Sequence, residues 1–120
     1  MKIAFPTSGA DLNAPLDPRF GRAARFLVYD TEFDSFALID NAPNLNAPQG
    51  AGIQSAQQVA SSGAQALVVS HCGPKAYRVL ASAGVKIYTA VAGTVGEALA
   101  LYRAGKLKEA LTADVEGHWA

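Results

Sequence analysis

One cysteine, one methionine and one tryptophan occur in 120 residues, and neither sign of charge is in excess. A lone cysteine excludes an internal disulfide and fits a reducing compartment. It also leaves no Cys-x-x-Cys pair. With His71 and His118 as the two histidines, ligands for a preformed zinc site are too few. Formal net charge is +0, so no basic excess draws the chain to nucleic acid or to an anionic membrane. No run approaches the roughly 18 apolar residues of a membrane span. Met1-Lys2-Ile3 leads directly into a strand, without the charged, apolar and small-residue segments of a signal peptide. The expected location is the cytoplasm. The first strand carries no acid, so a two-metal nuclease built on such a sheet would lack its anchor.

What is present is half hydrophobic, enough for one domain with one core. The expected domain spans residues 1–112, with 113–120 as a tail. The stretch Ala66-Leu67-Val68-Val69-Ser70-His71-Cys72-Gly73-Pro74-Lys75 organises the rest. It begins as a buried strand, with two β-branched residues among four apolar ones. It ends as a helix start, because proline at the first helical position needs no amide hydrogen. That places Cys72 and His71 at the carboxyl end of a strand, beside helix amides without intrahelical partners. Such a place favours anions.

Lys2 to Pro6 reads as a central strand, and Thr7 to Asp11 as a polar turn. Phe26 to Thr31 and Ser35 to Asn41 alternate at period two and form a hairpin around Glu32 to Asp34. A Pro- and Asn-rich loop from Asn41 to Gly52 leads into a helix with Ile53, Ala56, Val59 and Ala60 on one stripe, closed by Gly63. The strand Ala66 to Ser70 is followed by a helix from Pro74 to about Ala83, stopped by Gly84. Val85 to Val91 is a further strand. Thr94 and Glu97 form a capping box for a last helix ending at Gly105. Lys106 to Thr112 is a short terminal piece. Strand–helix–strand units imply parallel pairing, and the hairpin adds antiparallel strands. The expected fold is therefore α/β: a mixed sheet of about five strands with helices on both faces. Lys2 to Pro6, Ala66 to Ser70 and Val85 to Val91 should be adjacent, and the hairpin should lie beyond the first.

Two sets of residues carry chemistry. His71-Cys72, five residues and Arg78 spell the signature of cysteine phosphatases, in which a thiolate attacks phosphorus. Pro74 shortens that loop and removes an amide from it. Cys72 is otherwise a small buried apolar residue. Asp17-Pro18-Arg19-Phe20-Gly21-Arg22, with Arg25 behind it, holds the densest positive charge in the chain. Gly50-Ala51-Gly52 before a helix is a second possible anion cradle.

Lys2-Ile3-Ala4, the Asp17 to Ala23 segment with Phe26, Gly50-Ala51-Gly52, Gly73-Pro74-Lys75-Ala76 with Leu80, and the ending Glu97-Ala98-Leu99 through Gly105-Lys106-Leu107 together resemble the dinitrogenase iron–molybdenum cofactor biosynthesis family. The resemblance covers nearly the whole chain. It implies a ribonuclease-H-like motif without nuclease activity, and a non-enzymatic role in carrying or assembling a metal–sulfur cluster. The cluster implied is a molybdenum–copper sulfide or a related molybdenum or iron–sulfur cluster, with protein partners in its assembly or transfer. Many members have a histidine where this chain has Gln49. The expected binding is therefore to the cluster's periphery, by arginines, lysines, free amides and an apolar wall. The residues expected there are Arg19, Phe20, Arg22, Gly50, Gly52, Ser70, His71, Cys72, Gly73 and Lys75. His71 and Cys72 are the candidates for direct metal contact. A regulatory domain of the same fold without a cluster, and a phosphatase using Cys72 and Arg78, remain as alternatives.

Overall fold

The structure, a computed structural model, describes residues 1–41, 51–90 and 93–110. Residues 42–50, 91–92 and 111–120 lie outside these, among them Gln49, Gly50 and Val91. Six strands form one sheet: β1 Lys2–Thr7, β2 Arg25–Asp30, β3 Ser35–Asp40, β4 Ala66–Val69, β5 Lys86–Thr89 and β6 Lys108–Glu109. Their order is β3-β2-β1-β4-β5-β6. β1, β4 and β5 are parallel neighbours, and the β2–β3 hairpin lies beyond β1, as the pattern predicts. The sixth strand adds to the expected five. It is two residues long and pairs antiparallel with β5, too short to leave a period in the sequence.

Alternation along the central strands separates two apolar layers. Ala4, Val28, Leu67, Val69 and Ile87 face α1 Ala51–Ser61 and α2 Pro74–Ser82, meeting Ala56, Val59, Ala76 and Leu80. Ile3, Phe5, Leu27, Ala66 and Val68 face α3 Val95–Arg103, meeting Val95, Ala98 and Leu99. Strands buried on both faces need helices on both sides, which this arrangement supplies. The three α-helices among the described residues end at Gly63, Gly84 and Gly105, all with positive φ (87°, 79° and 70°) that side-chain-bearing residues rarely adopt. No helix among the described residues is long and apolar enough to cross a membrane.

The loop after β1 is laced to the start of α3. The Leu16 amide donates to the Gly93 carbonyl (2.7 Å), Val95 to Ala14 (2.9 Å) and Gly96 to Leu12 (2.7 Å). The Thr7 hydroxyl, fully buried, donates to the Pro15 carbonyl at 2.8 Å and accepts from the Gly9 amide at 3.0 Å. Gly9 is required by contact. A Cβ there would lie 2.2 Å from the Ala14 Cβ, closer than real methyl groups approach. Gly9→Ala is expected to cost about 1–3 kcal/mol in urea unfolding, through the forced shift of the loop. A variant as stable as the parent would show that the loop gives way without cost.

Candidate functional site

In this topology the starts of α2 and α3 must lie at the carboxyl edge of the parallel strands, since each helix follows a parallel strand directly. α1 runs down towards the start of β4, so its first turns reach the same edge. There the Cβ position of Gly52 is 3.8 Å from the Ala76 Cβ, and Gln58 Nε2 donates to the Asp40 carbonyl at 2.8 Å. The helix starts differ in one respect that decides their chemistry. α3 is closed: Thr94 Oγ1 accepts from the Glu97 amide (3.1 Å), Glu97 Oε1 accepts from the Thr94 amide (2.9 Å), and the loop carbonyls take Val95 and Gly96. The hydrogen bond from the Thr94 amide pulls the Glu97 carboxyl below its ordinary range.

α2 is open. Its N-cap is Gly73, which has no side chain to accept from the following amides, and Pro74 follows as the first helical residue. The Lys75 and Ala76 amides have no hydrogen-bond partner among the described residues. Gly73 has ordinary extended dihedrals, φ −72° and ψ 165°, and a Cβ there would meet nothing within 4 Å. Neither backbone conformation nor packing among the described residues requires glycine at this position. What its absent side chain leaves accessible is the space over two free amides at a helix start, where an N-cap side chain normally sits.

The arginine segment stands at the same edge. Arg19 N–H donates to Asp17 Oδ1 at 2.9 Å, and the guanidinium grips the same carboxylate through Nε–Oδ1 and Nη2–Oδ2, each 3.3 Å. Asp17 is buried, while the Arg19 side chain is 69% exposed, so the fork is anchored on one side and open on the other. The hydrogen bonds and charge of Asp17 raise the Arg19 pKa further, so it stays charged. Phe20–Arg22 forms a 3-10 turn whose arginine is exposed. Arg25 Nη1 donates to the Gly9 carbonyl at 3.0 Å.

Phe20 does not form a wall of this edge. It is 6% exposed and packs on Phe26, ring centroids 5.3 Å apart, as the apolar pin under the turn. Cys72 is 1% exposed and belongs to the same core cluster as Phe20 and Ala76. Its thiol lies 3.7 Å from the Gly73 carbonyl. His71 and Lys75 are exposed on either side of it. Ser70 Oγ is buried without a hydrogen-bond partner among the described residues. Among those residues no three His, Cys, Asp or Glu side chains gather as metal ligands. A hollow of about 360 Å3 lies away from this edge, lined by Lys2, Asp30, Ser35 and Ile39 among others. It lies at the end of the sheet opposite Ser70 to Lys75.

Sequence reasoning missed Asn41 and Ser55, both fully buried. Asn41 Nδ2 donates to the Ala23 carbonyl at 2.7 Å and to Gly21 at 3.5 Å. Ser55 Oγ shares its single proton between Asn41 Oδ1 at 3.1 Å and the Gly21 carbonyl at 3.4 Å. One signal was present. Ser55 sits beside Ala56 on the buried stripe of α1, a polar residue where an apolar one packs.

These features define a class: a small mixed α/β domain with arginines and an uncapped helix start at the carboxyl edge, above a buried cysteine. Residues 1–105 match the model of the dinitrogenase iron-molybdenum cofactor family, and the chain belongs to that family. It is similar to the apo form of the orange protein of Desulfovibrio gigas, at 36% identity and a TM-score of 0.91, over 94% of this chain and 95% of that one. A NifB-like protein from Thermotoga is 34% identical, with a TM-score of 0.80, over 94% and 97% of the two chains. An uncharacterized protein of Methanocaldococcus jannaschii is 34% identical over 112 residues, 91% of each chain.

Proposed function

We propose that this chain binds an anionic metal–sulfur cluster, of molybdenum–copper sulfide or iron–molybdenum type, and carries it or assists its assembly without catalysing a reaction. The work is done in the cytoplasm, with partner proteins that deliver or receive the cluster. The observation that carries the reading is the uncapped start of α2, with two amides unpartnered and the Cβ position empty among the described residues, at the edge that also bears Arg19, Arg22 and Lys75. A thiometallate supplies its own sulfurs to its metals. The protein then needs to supply charge, N–H donors and shape. Family membership and the likeness to a protein solved in an apo form support a bound cofactor as cargo.

The buried thiol favours binding through the periphery of the cluster. A phosphatase needs an exposed thiolate in a loop long enough to wrap a phosphate, whereas Cys72 is 1% exposed and α2 begins two residues later. The test is reconstitution of the apo-protein and of Cys72→Ser with tetrathiomolybdate and copper, followed by visible absorption and metal analysis. Both proteins are expected to gain the same colour and stoichiometry. Loss of both in a folded Cys72→Ser variant would make the thiolate the anchor. Failure of the parent protein to bind would favour a regulatory domain without a cluster.

A further inference from the structure

We infer that Asn41 and Ser55 are positioning residues for the cluster site, fixing the Arg19–Arg22 turn in the one placement that aims its arginines over the edge. This rests on the proposed function. The turn is weakly held by its own bonds. It is a three-residue 3-10 turn without a side-chain cap, closed by Arg22 N–H to Arg19 at 3.1 Å and Ala23 N–H to Phe20 at 3.4 Å. The Asp17 carboxylate braces the Arg19 end of the turn, and the backbone around Arg22 is held separately.

The grip comes from two side chains far along the chain. Asn41, at the end of β3, and Ser55, in the second turn of α1, together take the Gly21 and Ala23 carbonyls, and the Asn41 amide donates to Ala24 at 3.0 Å. The carbonyls before and after Arg22 are thus held from the core side, while its side chain is exposed. Both polar side chains are fully buried, in contact with each other at 3.1 Å. Phe20 packs into the same apolar layer as Ala56, the residue next to Ser55. A pair of apolar residues would fill that space without the cost of desolvating an amide and a hydroxyl. It would also tolerate sliding of the turn, since dispersion contacts are not directional. A satisfied hydrogen-bond network permits one placement.

The test uses the whole chain with Ser55→Ala, Arg19→Ala/Arg22→Ala and the triple variant, titrated with tetrathiomolybdate across a salt series. Thermal unfolding of each sets the folded fraction. Ser55→Ala is expected to remain folded and to bind ~10-fold more weakly, with the flattened salt dependence of the double arginine variant. Adding Ser55→Ala to that double variant is expected to change affinity no further, because the two act through the same contact. Nitrogen relaxation should show residues 20–23 more mobile in Ser55→Ala, with the β1 amides unchanged. Parent-like affinity and salt dependence in folded Ser55→Ala overturns the inference and leaves the proposed function standing. So does an additive loss in the triple variant. If the parent protein does not bind tetrathiomolybdate, the proposed function fails and the inference falls with it.

Discussion

Gly73→Asp is expected to produce a protein that is more stable and nearly unable to bind a thiometallate. The position has φ −72° and ψ 165°, which any residue adopts, and no described residue within 4 Å of where a Cβ would stand. It is the N-cap of α2, so an aspartate there accepts from the Lys75 or Ala76 amide, as Thr94 does for Glu97 at α3. The carboxylate also sits favourably at the positive end of the helix dipole. Replacing a glycine cap by aspartate should add a few tenths of a kcal/mol. The same carboxylate occupies the donors offered to the cluster and repels its charge, so affinity should fall ~100-fold or more. Opposite signs for stability and binding separate a functional vacancy from a structural one. Unchanged affinity in Gly73→Asp would remove the start of α2 from the site.

Arg19→Ala/Arg22→Ala is expected to bind tetrathiomolybdate ~10- to 100-fold more weakly at low ionic strength, with the difference shrinking as salt rises. Folding should survive. Phe20 stays pinned on Phe26, and Asp17 keeps the amide bond from residue 19 at 2.9 Å. The Arg19 side of the fork is 69% exposed, so solvent screens its charge on Asp17. Equal affinity at physiological salt would show that both arginines are solvated surface charge. Isothermal titration at three salt concentrations distinguishes the outcomes.

Much of the framework can be read before any coordinates. The alternation in Phe26 to Thr31 and Ser35 to Asn41, the apolar runs at Ile3 and Val68, and the Thr94–Glu97 box are local patterns, and each reports its own element. Gly63, Gly84 and Gly105 report helix ends for the same reason. What cannot be read are pairings between distant residues. Phe20 beside two arginines looks like a site wall, and only the fold shows that it turns inward onto Phe26. Asn41 looks like the first residue of a polar loop, although it is buried and bound to a turn 18 residues earlier. Gly9 looks like an ordinary turn residue until Ala14 is brought against it. Contact between α3 and the loop after β1 closes that helix start, and no pattern in Val95 or Gly96 announces it. The open start of α2 is legible in part. Gly73-Pro74 marks an uncapped helix, but its pairing with the arginine turn depends on α1 lying between them.

Cluster binding is tested most directly by the metal and sulfide content of the protein purified from its native cell without chelator, together with its visible spectrum. The protein is expected to be coloured and to hold molybdenum and inorganic sulfide in stoichiometric amounts, retained on a sizing column and released when the cluster is destroyed by acid. A colourless, metal-free protein from that source, which also fails to take up tetrathiomolybdate and copper, would contradict it.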